Sequence, residues 1–158
     1  MIFMRVLARI STFIVLILLL QSCSSSKKTL PSAEVNFLSN TDGTITMRAN
    51  GIGNSEGEAI GDAMYNAFDV LFFRGLPESE QKKPLVGTNE NEERAKNKEY
   101  FDEFYKGRYK TFVMSSIPTS ELIKYTGGKK GIAIDVKINV VALRTDLEEH
   151  NIIRKFGF

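Results

Sequence analysis

The chain predicts an α+β fold, a two-layer sandwich in which a small antiparallel sheet of about three strands carries two to three helices on one face. Three observations carry this prediction. Two segments alternate apolar and polar residues with the period of a half-buried strand: Ile45, Met47 and Ala49, and later Ile132, Ile134, Val136, Ile138, Val140 and Ala142. Between them, Ala59, Ala63 and Ala67 recur every fourth residue, the small stripe of a helix that packs closely onto a sheet. The order strand, helix, helix, strand, strand, helix then points to separate helical and sheet layers.

Taken in order, residues 1–22 read as a signal peptide. Arg5 and Arg9 form a basic start, Ile10 to Leu20 an apolar stretch, and Leu20-Gln21-Ser22-Cys23 a short exit site. The apolar stretch contains Ser11 and Thr12 and falls short of the roughly 20 apolar residues of a spanning helix. Leu20 and Ser22 ahead of Cys23 resemble the lipobox of bacterial lipoproteins. That resemblance implies that Cys23 becomes the first mature residue and carries lipid, palmitate included, so that the protein is anchored to a membrane of the cell envelope. Ser24, where an acidic residue would mark inner-membrane retention, favours the outer membrane.

Removing Arg5 and Arg9 from the 21 Lys and Arg leaves 19, equal to the 19 Asp and Glu. The mature chain is therefore neutral, and the net-charge argument for nucleic acid fails. The single cysteine is consumed by acylation, so the core must hold without a disulfide. One domain is expected, large enough to bury roughly two-thirds of its unfolded surface.

Residues 23–40, Ser-rich and without periodicity, read as a flexible tether, and 41–158 as the single domain. A strand over 44–50 leads into a glycine turn. Ser55 and Glu58 have the spacing of a capping box that opens a helix over 55–74. Gly75, in a left-handed cap, and Pro77 end it. Residues 77–91 form an irregular excursion around the apolar island Pro84-Leu85-Val86-Gly87. A second helix is expected over 92–106 with Phe101, Phe104 and Tyr105 on its buried face. Strands over 109–116 and 132–142 form a hairpin with a long loop, followed by a short helix from about Arg144 and an apolar tail.

Two stretches, 45–73 and 130–147, are similar to the N-terminal domain of flagellar assembly protein T and related small surface lipoproteins. The similarity implies a fold and an envelope setting. It transfers no catalytic residue set, because that group has none.

Candidate chemistry is sparse. Gly51-x-Gly53-x-x-x-Gly57 lacks a nearby cation and sits beside Glu56 and Glu58, so it reads as a tight turn rather than a phosphate cradle. His150 is the only histidine and reads as a helix cap, with no second ligand or thiol to build a metal or nucleophile site. Asp102 and Glu103 are adjacent on a helix, point about 100° apart and read as its solvated side. Asp135 lies on the late strand. The rings Tyr100, Phe101, Phe104, Tyr105, Tyr109 and Phe112 read mainly as core, with Tyr100 and Tyr109 near the surface. The reading is a non-catalytic, lipid-anchored envelope protein without cofactor or metal, anchored through Cys23 and contacting a protein partner through Pro84, Leu85, Val86, Tyr100 and Tyr109. The alternative is a small-ligand or glycan-binding module that uses the aromatic segment 100–112.

Overall fold

The computed structural model describes residues 34–155, so the signal peptide, Cys23 and the last three residues lie outside the described residues. The architecture is α+β: one antiparallel sheet of five strands with four helices, of which the longest packs directly on it. The strands are β1 (Val35–Thr41), β2 (Thr44–Gly53), β3 (Val113–Pro118), β4 (Ile123–Lys124) and β5 (Lys130–Asn139). The order is β1-β2-β5-β3, with β4 beside β3 on the same edge of β5. The sheet is larger than the three strands expected, because the sequence hides β1 inside the tether and gives β4 only two residues. Residues 35–41 pair antiparallel with β2, with Phe37 against Met47, and so belong to the domain.

The sheet's inner face is Ile45, Met47 and Ala49 on β2 and Ile132, Ile134, Val136 and Ile138 on β5, all buried. On the outer face Arg48 and Asp135 are cross-strand partners, and the guanidinium donates to both carboxylate oxygens at 2.7 and 2.9 Å.

Helix α1 (Glu56–Asp69) lies on the inner face. Ser55 is its N-cap and accepts from the Glu58 N–H at 3.2 Å. The reciprocal bond is displaced by one residue: Glu58 accepts from the backbone and side-chain nitrogens of Asn54, which holds its carboxyl below the usual range. Ala59, Ala63 and Ala67 are fully buried. The expected glycine turn is instead the end of β2. A Cβ on Gly51 would stand 2.1 Å from the Ala59 carbonyl oxygen, and one on Gly53 would stand 2.5 Å from the Ala59 nitrogen. Both glycines let helix backbone meet strand backbone. Beyond the reach of β1, Asp62 accepts from the Ile52 N–H and Asn66 donates to the Asn50 carbonyl.

The helix continues to Arg74 as a π-helical turn, Val70–Arg74, in which the Gly75 N–H donates to the Val70 carbonyl at 2.7 Å. Four consecutive apolar residues, Val70 to Phe73, are buried there. An isolated amphipathic α-helix cannot bury such a run on one side. The excursion supplies the missing cover: the N–H groups of Leu85 and Val86 donate to the Leu71 and Phe72 carbonyls at 2.9 and 3.0 Å. Gly75 has φ +74° and ψ 171°, an extended glycine conformation rather than the left-handed helical one expected.

The expected second helix is two, α2 (Glu90–Lys96) and α3 (Lys98–Lys106), broken at Asn97. A 3₁₀ turn, Arg108–Phe112, replaces the start of the expected strand, and β3 begins at Val113. Strand β5 stops at Asn139, whose side chain caps α4 (Val140–Glu149) by accepting from the Ala142 N–H at 2.9 Å. The last strand thus ends three residues before its alternation implies, and the final helix starts about four residues earlier than expected.

Candidate functional site

Two groups of polar side chains stand against the aromatic core. In the first, Asp69 at the end of α1 is buried and accepts from Arg94 on α2 at 2.5 Å and from the Tyr105 hydroxyl on α3. Arg94 also donates to Glu90 at 3.0 Å, and its guanidinium lies 4.8 to 5.5 Å from the ring centres of Tyr65, Phe73, Phe101 and Tyr105. Burial pushes the Asp69 carboxyl above the usual carboxylate range, against the opposing pull of Tyr105 and Arg94. Burial and the charge of Asp69 push the Tyr105 hydroxyl up as well, so it stays a donor. Burial and Asp69 act the same way on Tyr65. Burial disfavours the Arg94 charge, but Tyr105, Asp69 and Glu90 more than compensate and hold it protonated.

This cluster forms one wall of an open cleft of about 750 Å³, lined by Tyr65, Arg94, Lys98, Phe101, Tyr105 and Lys106 among others. The Tyr65 and Tyr105 rings meet at 4.1 Å. Lys98 pairs with Asp102 and Lys106 with Glu103, both on the solvent side of α3. Asp102 and Glu103 are therefore solvated, as the sequence indicates.

The second group ties α4 to α3. Asp146 accepts from Tyr100 at 2.8 Å and from Arg108 at 2.7 Å, and Arg108 lies over the Tyr100 ring. His150 is the C-cap of α4, as its sequence position implies; its Nδ1 faces the Asp146 carbonyl at 2.8 Å and its Nε2 faces Arg108 at 3.2 Å. Because a guanidinium only donates, His150 Nε2 is the acceptor and Nδ1 carries the hydrogen.

The five residues expected at a partner surface are dispersed. Leu85 and Tyr100 are each 8% exposed and offer no contact surface, which corrects that expectation. Leu85 is pinned beneath the π-helical turn, and the Tyr100 hydroxyl is spent on Asp146. Pro84 and Val86 are half-buried beside it. Tyr109 is half-buried and lines a separate groove with Ile60, Met64 and Val113. Phe101, Phe104 and Phe112 are core, and of the aromatic segment only Phe101 and Tyr105 line the large cleft. Tyr65 and Arg94 escaped sequence reasoning. The signal was available only in part: Tyr65 follows Gly57 and Gly61 at four-residue spacing, on the side of α1 away from the alanine stripe.

Another surface stands out at β3, which pairs only with β5 and leaves its other edge open. Its Met114 and Ile117 are each 59% exposed, and the strand carries no charge. Among the described residues no helix is long and apolar enough to cross a membrane, and no group of three His, Cys, Asp or Glu could hold a metal ion. Comparison with family models, curated proteins and solved structures finds no match.

Proposed function

We propose that the protein is a lipid-anchored, non-catalytic component of the bacterial envelope that binds an envelope protein through the free edge of β3. The observation that carries this is the uncharged edge strand with Met114 and Ile117 exposed. Soluble folds protect such edges with charge, cover or closure, and an unprotected one is a template for strand addition. The Met114 bulge and Pro118 restrict pairing to a short segment, which favours a specific partner over open-ended aggregation. The lipobox-like leader supports the anchoring, and the likeness to the N-terminal domain of flagellar assembly protein T supports the envelope setting.

Photo-crosslinking residues placed at positions 114 and 117 in intact cells test the reading, with position 145 on α4 as a distant control and Cys23→Ala as the unanchored control. The expected result is one envelope protein captured from 114 and 117, absent from 145, and lost with Ile117→Lys. Capture that is equal from all three positions would refute it. So would turnover of a cell-wall substrate by the purified protein that disappears with Asp102→Asn.

A further inference from the structure

We propose that the occupant of the β3 edge is a second copy of this chain, paired antiparallel about a two-fold axis at Ser116. The inference rests on the reading of that edge as a binding surface and adds the identity of what it binds. Charge at the two ends of the strand carries it. Lys110 stands just before β3 and Glu121 just after it; both are exposed, and neither is in an ion pair among the described residues. The Lys110 ammonium lies 6.0 Å from the centre of the Tyr109 ring. Residues 111–120 between them carry no charge, so the edge reads positive, neutral, negative along the chain. A two-fold axis reverses one copy against the other and brings each lysine to the glutamate end of its neighbour. Parallel addition of a copy would set like charge against like.

The other edge of the sheet supplies the contrast. Strand β1 is also uncharged, but an exposed acid stands at each of its ends, Glu34 and Asp42. Two β1 edges therefore repel in either direction, and β1 laid on β3 sets an acid beside Glu121 in either direction. Only β3 against β3 satisfies both ends. Such an interface is isologous: it uses the β3 edge of both copies and stops at a dimer, where β1 on β3 would propagate.

The backbone phase fixes the axis. The Thr119 N–H donates to the Ala133 carbonyl at 2.9 Å, and Ile117 and Ser115 oppose Asp135 and Lys137 in the same phase. Ser116, between them, turns its N–H and C=O away from β5. Directly opposed residues of an antiparallel pair share one phase, so an axis at Ser116 joins it to Ser116 of the copy through two N–H···O=C bonds. The same axis lays Ile117 beside Ser115 of the copy on the outer face. Pro118, which has no N–H to give, falls at the end of the paired segment. Val113 also lines the groove of Ile60, Met64 and Tyr109, so apolar surface continues from this edge onto the inner face.

Ser116→Cys in the full-length chain tests the pairing in intact cells, read on a non-reducing gel. Across such a pair the two Cα atoms stand about 5.5 Å apart, within disulfide range. The natural chain, which has Cys23 alone, and Thr145→Cys on α4 are the controls. The expected result is a reducible species of twice the chain's mass from Ser116→Cys and from neither control. In the Ser116→Cys background, Lys110→Glu and Glu121→Lys are each expected to lower the dimer about tenfold, because two exposed ion pairs become repulsions. Co-expression of the two variants is expected to restore it, since one edge is then acidic at both ends and the other basic. The proposal is overturned by a dimer that Lys110→Glu leaves unchanged, or by one that co-expression does not restore. It is also overturned if no dimer forms while photo-crosslinkers at 114 and 117 capture a different protein, a result that leaves β3 as a binding edge. Absence of both the dimer and any capture removes the edge reading as well.

Discussion

At single residues, the decisive quantity is the space a side chain is given. Gly51 and Gly61 are both glycines near α1, yet a Cβ on Gly51 meets backbone at 2.1 and 2.3 Å, while one on Gly61 meets nothing within 4 Å. Gly51→Ala is therefore expected to destabilise the fold by about 3 kcal/mol, because helix and strand backbones must separate. Gly61→Ala is expected to stabilise it by roughly 0.5–1 kcal/mol through helix propensity. Urea unfolding of the two variants should move the midpoint in opposite directions. Asp69 supplies a second residue-scale prediction. Its carboxyl pKa is raised on folding above the ordinary 3.8, so the native state binds more protons than the unfolded chain just above that value. Its contribution to stability is present at lower pH and falls as pH rises through that window. The stability of the natural chain minus that of Asp69→Asn should shrink as pH rises there, and a flat or growing difference would contradict the burial argument. Asp69 itself stands inside an apolar helical run, and its partners Arg94 and Tyr105 are 25 and 36 positions away. Local pattern carries no trace of that meeting, which is why the cluster went unread.

Among the elements, those with a single strong period were legible and those with two competing periods were not. The stripe Ala59-Ala63-Ala67 has only a helical explanation, and α1 begins at its expected cap. The segment after Ile138 satisfies both periods: Val140 and Ala142 continue the alternation of β5, while Val140, Leu143 and Leu147 form the buried stripe of α4. Asn139 settles the matter by bonding the Ala142 N–H, a local competition between side chain and ladder that short runs cannot reveal by periodicity. Asn139→Ala is expected to cost about 1 kcal/mol, and Asn139→Ser to recover most of it, because serine caps comparably. Equal unfolding midpoints for the two variants would remove the capping explanation. The break at Asn97 similarly splits a stretch whose aromatic spacing alone reads as continuous.

For the whole molecule, the sheet extends further toward the N-terminus than the tether reading allowed. Strand β1 shields one edge of β2 and lays Val35 and Phe37 on the core half-buried. A chain beginning at residue 42 is expected to be about 2 kcal/mol less stable than one beginning at residue 34, given two half-buried apolar side chains and lost edge pairing. Coincident denaturation curves would return 34–41 to the tether. The α+β class, the helix on the sheet and its alanine contact were all readable along the chain, because they depend on periodicity and on residue size within short windows. The π-helical turn covered by Leu85 and Val86, the burial of Tyr100, the Asp69–Arg94–Tyr105 cluster and the cleft beside Tyr65 were decided only on folding. Each joins residues from separate segments, and which aromatic ring becomes core or cleft wall depends on what packs against it rather than on its own neighbours in sequence.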